Sequence, residues 1–368
     1  MSLLRRVRPE LMAMQPYKPG LSVEEIAARY GLSRVVKLAG NENPLGVAPG
    51  VIEALGHVLP TCHQYPQNGS PRLAAALAQE LSVDPARVVV GCGSDEIIDL
   101  IVRLTAAPGS GHVLAHEKSF SVYGQVCRLS GVEYREVPRD EGFGVPVAGL
   151  AEAATEDTAV VFVTCPDNPT GDAPSADELS VLAGALPKST LLVVDEAYID
   201  FAWPPEHYSL MGFLDDLPNV AIIRTMSKAY GLAGFRVGYG VLPAELAALV
   251  AKARIPFTVN RPAEEAALAA LADKEFAMAT LDTVMKGRER LTAELTRLGC
   301  APLPSQANFL MFQPTRPVPL VFEELLKRGI IVRPLASFGF PDHIRVTVGT
   351  AEENALFLSA LSEVLAHA

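Results

Sequence analysis

No apolar run in this 368-residue sequence approaches the ~18 residues of a membrane-spanning helix. The basic N-terminal stretch MSLLRRVRPELMAM has no continuous apolar core of the kind an export signal carries. Neither a membrane anchor nor a targeting segment is expected. Basic charge is also short: the net charge of −11 excludes the broad positive surface that nucleic acid or an anionic membrane requires. The five cysteines (Cys62, Cys92, Cys127, Cys165, Cys300) are odd in number and widely spaced, with no C-x-x-C pair, which implies reduced thiols and a cytoplasmic protein. Among seven histidines there is no H-E-x-x-H. His112 and His116 are four apart, but HVLAH reads as a strand, which separates them, so no metal site is expected. No internal repeat or low-complexity tract interrupts the chain.

Apolar residues make up 49% and charged residues 20%, as in an ordinary soluble protein, and the length suits one large domain with a smaller one. Short β-branched runs alternate with helical patterns through the first two thirds. The strand candidates are 87–91, 112–116, 132–137, 159–164, 190–194, 220–225 and 236–241. Between two of them SADELSVLAGAL (175–186) reads as a helix, with Ser175 as N-cap and Asp177 and Glu178 in its first turn. Continuous apolar strands separated by helices indicate an α/β fold with a mostly parallel seven-stranded sheet between helices. From about Pro262 two helices, the second near 275–298, lead into a small α/β domain of strand, helix, two strands and helix. Residues 1–45 lack a helix–strand rhythm and read as an arm that packs on something else. The expected division is therefore an arm (1–45), a large domain (46–261) and a small domain (262–368).

In open parallel sheets, ligands sit beyond the carboxyl ends of the strands. Four such ends here carry polar groups: G-C-G-S-D-E (91–96), C-P-D-N-P-T-G (165–171), D-E-A-Y (195–198) and T-M-S-K-A-Y-G-L-A-G-F-R (225–236). The glycine pair of Gly91-Cys92-Gly93-Ser94-Asp95 leaves N–H groups free at a helix start, an anion cradle, but lacks the third glycine of a dinucleotide fingerprint. Asp195 ends a strongly apolar strand, where an unpaired carboxylate is costly and needs a cation or N–H donors. Taken singly, each feature is equally well an ordinary turn, a helix cap or a surface lysine. In order along one chain, they converge on one site.

That ordered set resembles the class I/II aminotransferases, pyridoxal-phosphate enzymes of fold type I, and most closely the histidinol-phosphate aminotransferase family. P-Y-K-P-G (16–20), K-L-A-G-N-E-N-P-L-G (37–46), Q-Y-P (64–66) and I-R-V-T-V-G (344–349) complete the resemblance. It implies pyridoxal 5'-phosphate as cofactor, Lys228 as the Schiff-base lysine and Asp195 as partner of the pyridine nitrogen. Asn168 and Tyr198 are implied at the ring hydroxyl and Phe120 on the ring face. Gly93, Ser94, Asp95, Thr225, Ser227 and Arg236 are implied around the phosphate. Tyr65 would reach the cofactor of a second subunit, giving a homodimer with shared sites. Arg345 with Arg333 would hold the substrate's anionic end, helped by Tyr17 and Asn168. Two departures stand out: P-D-N-P-T-G puts Asp167 where the family has asparagine, and Lys118-Ser119-Phe120 lacks the family's proline, which bears on local loop shape.

The implied reaction is transamination between a small-molecule amine and a 2-oxo acid, with L-histidinol phosphate and 2-oxoglutarate expected and histidine biosynthesis the setting. An aromatic amino-acid aminotransferase, a decarboxylase of the threonine-phosphate type, an NAD-binding dehydrogenase and a non-enzymatic regulator are the alternatives.

Overall fold

Seven β-branched segments build one sheet: β1 (Val88–Gly91), β2 (His112–His116), β3 (Glu133–Val137), β4 (Thr158–Thr164), β5 (Leu191–Asp195), β6 (Val220–Thr225) and β7 (Gly238–Val241). The computed structural model describes residues 5, 7–12, 14 and 20–366. The strand order is β1-β7-β6-β5-β4-β2-β3. All neighbours are parallel except β7, which runs antiparallel to both β1 and β6. All seven strand candidates lie in this sheet.

Side chains alternate across the sheet, and both faces are apolar. Val160, Phe162, Val193 and Ile223 pack on one side with Ile97 and Ile101 of helix Gly93–Thr105. Val161, Val163, Leu192, Val194 and Ile222 pack on the other with Leu179 and Leu182 of helix Ala176–Ala185. That helix starts at Ser175, as its sequence indicated. The Ser175 hydroxyl accepts from the Glu178 N–H at 3.3 Å, and the Glu178 carboxylate accepts from the Ser175 N–H at 2.8 Å.

A second, antiparallel sheet orders Arg333–Pro334, Ile344–Thr347, Phe309–Gln313 and Ala301–Pro302. Helices Lys274–Arg297, Val318–Lys327 and Ala351–Ala366 bury Leu291, Val321 and Phe357 against Phe309, Ile344 and Val346. Helix Arg261–Ala272 instead packs its alanine face on Val51 and Leu73, beside the large sheet.

The N-terminal segment has more structure than its sequence suggested. Ser22 caps a helix over Val23–Tyr30, and Gly31 ends it in the left-handed region at φ 65°. Val36–Lys37 then pairs in parallel with Ile330–Ile331. The S-x-x-E start at Ser22 and Glu25 was a readable cap signal. The two-residue strand was not, because its pairing partner lies some 290 residues away in sequence.

Candidate active site

Register brings the polar strand ends together. Thr164 at the end of β4 lies opposite Asp195 at the end of β5. Thr225 at the end of β6 lies opposite Gly238 in β7, which in turn faces Gly91 at the end of β1. Because β7 runs antiparallel, its first residues, and Arg236 just before them, reach the same edge. The result is a cleft of about 160 Å3 lined by Ser94, Asp95, Phe120, Asn168, Asp195, Tyr198, Thr225, Ser227, Lys228 and Arg236.

One end of the cleft suits an anion. Ser94 and Asp95 stand in the first turn of helix Gly93–Thr105, where N–H groups and the helix dipole favour negative charge. Arg236, in the left-handed region at φ 58°, donates to Asp95 Oδ2 at 3.2 Å and to Ser227 Oγ at 3.4 Å. Thr225 Oγ1 donates to Ser227 Oγ at 2.9 Å. Asp95 therefore orients the guanidinium, while the hydroxyls and the helix start face the space. Gly93 and Gly238 make this approach possible. A Cβ on Gly238 would fall on the Ser94 nitrogen, and one on Gly93 would press on the Arg236 guanidinium.

At the centre stands Asp195, 2% exposed. Tyr123 Oη donates to its Oδ2 at 2.8 Å and the Ala197 N–H to its Oδ1 at 3.2 Å, and no cationic side chain among the described residues pairs with it. Burial pushes its carboxyl up to about 7, against the pull of these two donors. A buried carboxylate aimed into a cleft without a cation is what a protonated ring nitrogen would complete. Lys228 Nζ donates to the Gly40 carbonyl at 3.2 Å and lies 5.8 Å from the centre of the Tyr198 ring. Burial, then Arg345, lowers its ammonium to about 8, which favours the neutral, nucleophilic amine. Phe120 lines the wall, edge-on to Tyr123 at 5.6 Å. These residues fit pyridoxal phosphate: an anion cradle, a nucleophilic lysine and a buried acid share one cleft.

A second cavity of about 300 Å3 shares Phe120, Asn168, Tyr198 and Lys228 with the first and adds Arg333 and Arg345. Arg333 pairs directly with Arg345 across adjacent strands. Like charges placed opposite one another cost stability, and an anion between the two guanidinium groups would offset that cost. Arg345 is 6% exposed, donates to Asn168 Oδ1 at 2.5 Å and to the Ala39 carbonyl at 2.9 Å, and lies over Phe309.

Tyr65, expected at the cofactor of a second subunit, does not line its own cleft. Tyr65 is 80% exposed and stacks on Phe257 at 4.9 Å, on a separate surface beside Asn260 and Arg261. Tyr17 lies outside the described residues.

The sequence reading missed Asn41 and Tyr123. Asn41 Nδ2 donates to Tyr198 Oη at 3.0 Å, its N–H donates to Thr347 Oγ1, and its carbonyl accepts from Asn308. Its φ of 54° is one that asparagine tolerates better than most residues. Asn41 sits within the N-E-N-P-L-G segment, so the signal was present without a role attached. Tyr123 stacks on Phe162 at 4.4 Å and reads as plain core on the apolar face of helix Val122–Ser130.

The two departures have physical explanations. Asp167 is fully buried, accepts from Arg139 Nη2 at 2.8 Å and Thr170 Oγ1 at 2.7 Å, and has His116 Nε2 at 3.4 Å. The charge that the acid introduces is thus met by a buried guanidinium. Lys118 takes φ 55°, which proline cannot adopt, and its ammonium lies 5.1 Å from the Phe340 ring centre.

Residues 33–361 match the family model described as aminotransferase class I and II. A histidinol-phosphate aminotransferase of Nitratidesulfovibrio vulgaris is 48% identical over 98% of this chain and 97% of its own length. A histidinol-phosphate aminotransferase 2 of Methylococcus capsulatus is 41% identical over 99% and 100%. The crystal structure of histidinol-phosphate aminotransferase from Sinorhizobium meliloti in complex with pyridoxal-5'-phosphate superposes with a TM-score of 0.88 at 30% identity, covering 98% of this chain and 97% of that one. With a matching model over most of its length, and relatives this similar end to end, the chain belongs to the class I and II aminotransferases.

Proposed function

We propose that this protein transfers the amino group of L-histidinol phosphate to 2-oxoglutarate, as a step of histidine biosynthesis, using pyridoxal 5'-phosphate held at Lys228. The observation that carries the substrate is the Arg333–Arg345 pair in a cavity continuous with the Lys228 cleft. Histidinol phosphate has no α-carboxylate, so its phosphate takes the anion site that a carboxylate of glutamate fills in the other half-reaction. A dianion uses two guanidinium groups, whereas a carboxylate needs one bidentate arginine. The identity to histidinol-phosphate aminotransferases over nearly the whole chain supports the same substrate.

The residues divide the work. Ser94, Thr225, Ser227 and Arg236 hold the cofactor phosphate, with Gly93 allowing the close approach and Asp95 orienting Arg236. Asp195 keeps the ring nitrogen protonated, and Asn168 and Tyr198 donate to the ring hydroxyl, with Phe120 on the ring face. Bound this way, the cofactor supplies an electron sink for the pair left when the substrate Cα proton departs. The Lys228 amine would take that proton as general base and, as general acid, give it to the cofactor's C4′, two bonds from Cα. Tyr17 adds a hydroxyl to the substrate's anionic end.

Tyr65 serves the cofactor of a second copy, so the working unit is a homodimer with shared sites. Its exposure supports this, as do Ile52, Leu59 and Ile255, all more than half exposed. The division into an arm (1–45), a large domain (46–261) and a small domain (262–368), and a cytoplasmic location, belong to the same reading; helix Arg261–Ala272, which packs beside the large sheet, argues for a later start of the small domain.

Single-turnover conversion of the cofactor-loaded enzyme by histidinol phosphate, phenylalanine and tyrosine at equal concentration tests the substrate. Histidinol phosphate is expected to react with the largest rate-to-affinity ratio, and Arg333→Ala to impair it more than phenylalanine. A larger ratio for an aromatic amino acid makes the enzyme an aromatic aminotransferase instead.

A further inference from the structure

Beside Lys228, Arg333 and Arg345, the substrate cavity has a further cation. Val36–Lys37 runs parallel to Ile330–Ile331, with Lys37 opposite Ile331 and thus two residues short of Arg333 on the neighbouring segment. Successive side chains of a strand face opposite ways. Val36 enters the apolar cluster behind the second sheet, and Lys37 turns to the cavity that Arg333 and Arg345 line. Its Nζ donates to Glu42 Oε1 at 2.8 Å, with the two side chains 31% and 47% exposed. An ion pair this open to water adds little to folding. Its position is better explained by what enters the cavity.

The charges favour a phosphomonoester. Arg333, Arg345 and Lys37 bring three positive charges and Glu42 one negative, a net of two positive, with Lys228 engaged by the cofactor. A phosphomonoester carries about two negative charges at neutral pH. The 2-oxoglutarate carboxylate that takes the same site carries one, which a single bidentate arginine satisfies.

We propose that Lys37 is a specificity-determining residue, its ammonium joining Arg333 and Arg345 around the phosphate of the amine substrate, with Glu42 holding it at the cavity mouth. This rests on the phosphomonoester reading above. On this basis the Glu42 carboxylate competes with the incoming anion for Lys37, so removing each partner has opposite consequences.

The test uses the cofactor-loaded enzyme and its Lys37→Met, Lys37→Arg and Glu42→Gln variants. It measures inhibition by inorganic phosphate and, separately, KM and kcat for histidinol phosphate and KM for 2-oxoglutarate. Lys37→Met is expected to raise the phosphate inhibition constant and the histidinol phosphate KM about tenfold, the loss of one charge-assisted hydrogen bond. Its kcat should stay within about twofold and its 2-oxoglutarate KM within about threefold, the pattern of lost ground-state binding. Lys37→Arg should keep most of the affinity, and Glu42→Gln should lower the phosphate inhibition constant. A pair that only braced the fold would shift both constants the same way in Lys37→Met and Glu42→Gln. That result, or unchanged phosphate inhibition in Lys37→Met, overturns the proposal. Where Lys37→Met does not fold, the opposite signs expected of Lys37→Gln and Glu42→Gln decide. If the wild type does not convert histidinol phosphate, the substrate reading fails by itself, and the phosphate series, run against whichever amine is accepted, still judges Lys37.

Discussion

Asp195 and Glu196 are adjacent carboxylates, both buried, and their surroundings assign them opposite tasks. Glu196 accepts from Arg224 Nε at 2.9 Å and Nη2 at 2.7 Å, from Ser209 Oγ and from the Leu210 N–H, so its charge is fully met inside the fold. Asp195 faces the cleft with two neutral donors and, among the described residues, no cation, which is why burial raises its carboxyl to about 7. An acid whose folded pKa stands above its unfolded value of ~3.9 binds its proton more tightly when folded. In the cofactor-free protein that contribution is present at low pH and is lost as pH rises from about 4 to about 7. Urea unfolding across this range should show a declining stability component that Asp195→Asn removes; an unchanged slope in Asp195→Asn would contradict the assignment. Lys228 gives a second test. Its amine, lowered to about 8 by burial and Arg345, should capture pyridoxal phosphate at a rate that rises with pH to a half-maximum near 8. A solvated lysine would instead need a pH of ~10.4. Stopped-flow absorbance on the cofactor-free protein reads this directly, and a midpoint above 10 would remove the case for an activated amine.

At the scale of elements, the end of the cleft that suits an anion depends on how closely one helix start approaches one strand. Helix Gly93–Thr105 begins beside Gly238 in β7, and a Cβ at 238 would collide with Ser94 N, Gly93 C and Arg224 O, all backbone atoms that cannot swing aside. Gly238→Ala therefore has to push the helix start away from Thr225, Ser227 and Arg236. The cofactor Kd is expected to rise by at least about tenfold, since N–H donors at a helix terminus act only at short range. Gly234→Ala is the control, because a Cβ there meets nothing within 4 Å. Equilibrium dialysis of the two variants should separate them, and equal retention would show that the helix start does not hold the phosphate.

At the scale of the molecule, the cleft collects residues from well-separated stretches of chain. Asn41 ties the N-terminal segment to Tyr198 and Thr347, and Arg345 ties the second sheet to Asn168 beyond the end of β4. Tyr65 is the exception, far too exposed to serve its own cleft. If it serves the partner's, mixing a Lys228→Ala chain with a Tyr65→Ala chain forms heterodimers in which one site carries neither change. Transaminase activity should then return toward about a quarter of the wild-type level, the share of wild-type sites expected from random exchange with one good site in each heterodimer. No recovery, with exchange shown by native mass spectrometry, would place Tyr65 outside the shared site.

Much of this was legible in the chain alone. β-Branched runs such as AVVFVT and VAIIRT specify strands buried on both faces, and the polar residues that end them can lie nowhere but at the sheet's carboxyl edge. Local chemistry also signals Ser175 as a helix cap. What only the tertiary structure decided depends on pairing between distant segments. The Val36–Lys37 strand exists because Ile330–Ile331 offers it an edge. The arginine pair forms because two short strands meet in register, and Asp167 is tolerated because Arg139 reaches it from 28 residues away. Tyr123 looks apolar in sequence, since nothing local reveals that its hydroxyl ends on Asp195. Periodicity and caps are properties of neighbours along the chain, whereas the electrostatics of a buried group depend on what the fold brings beside it.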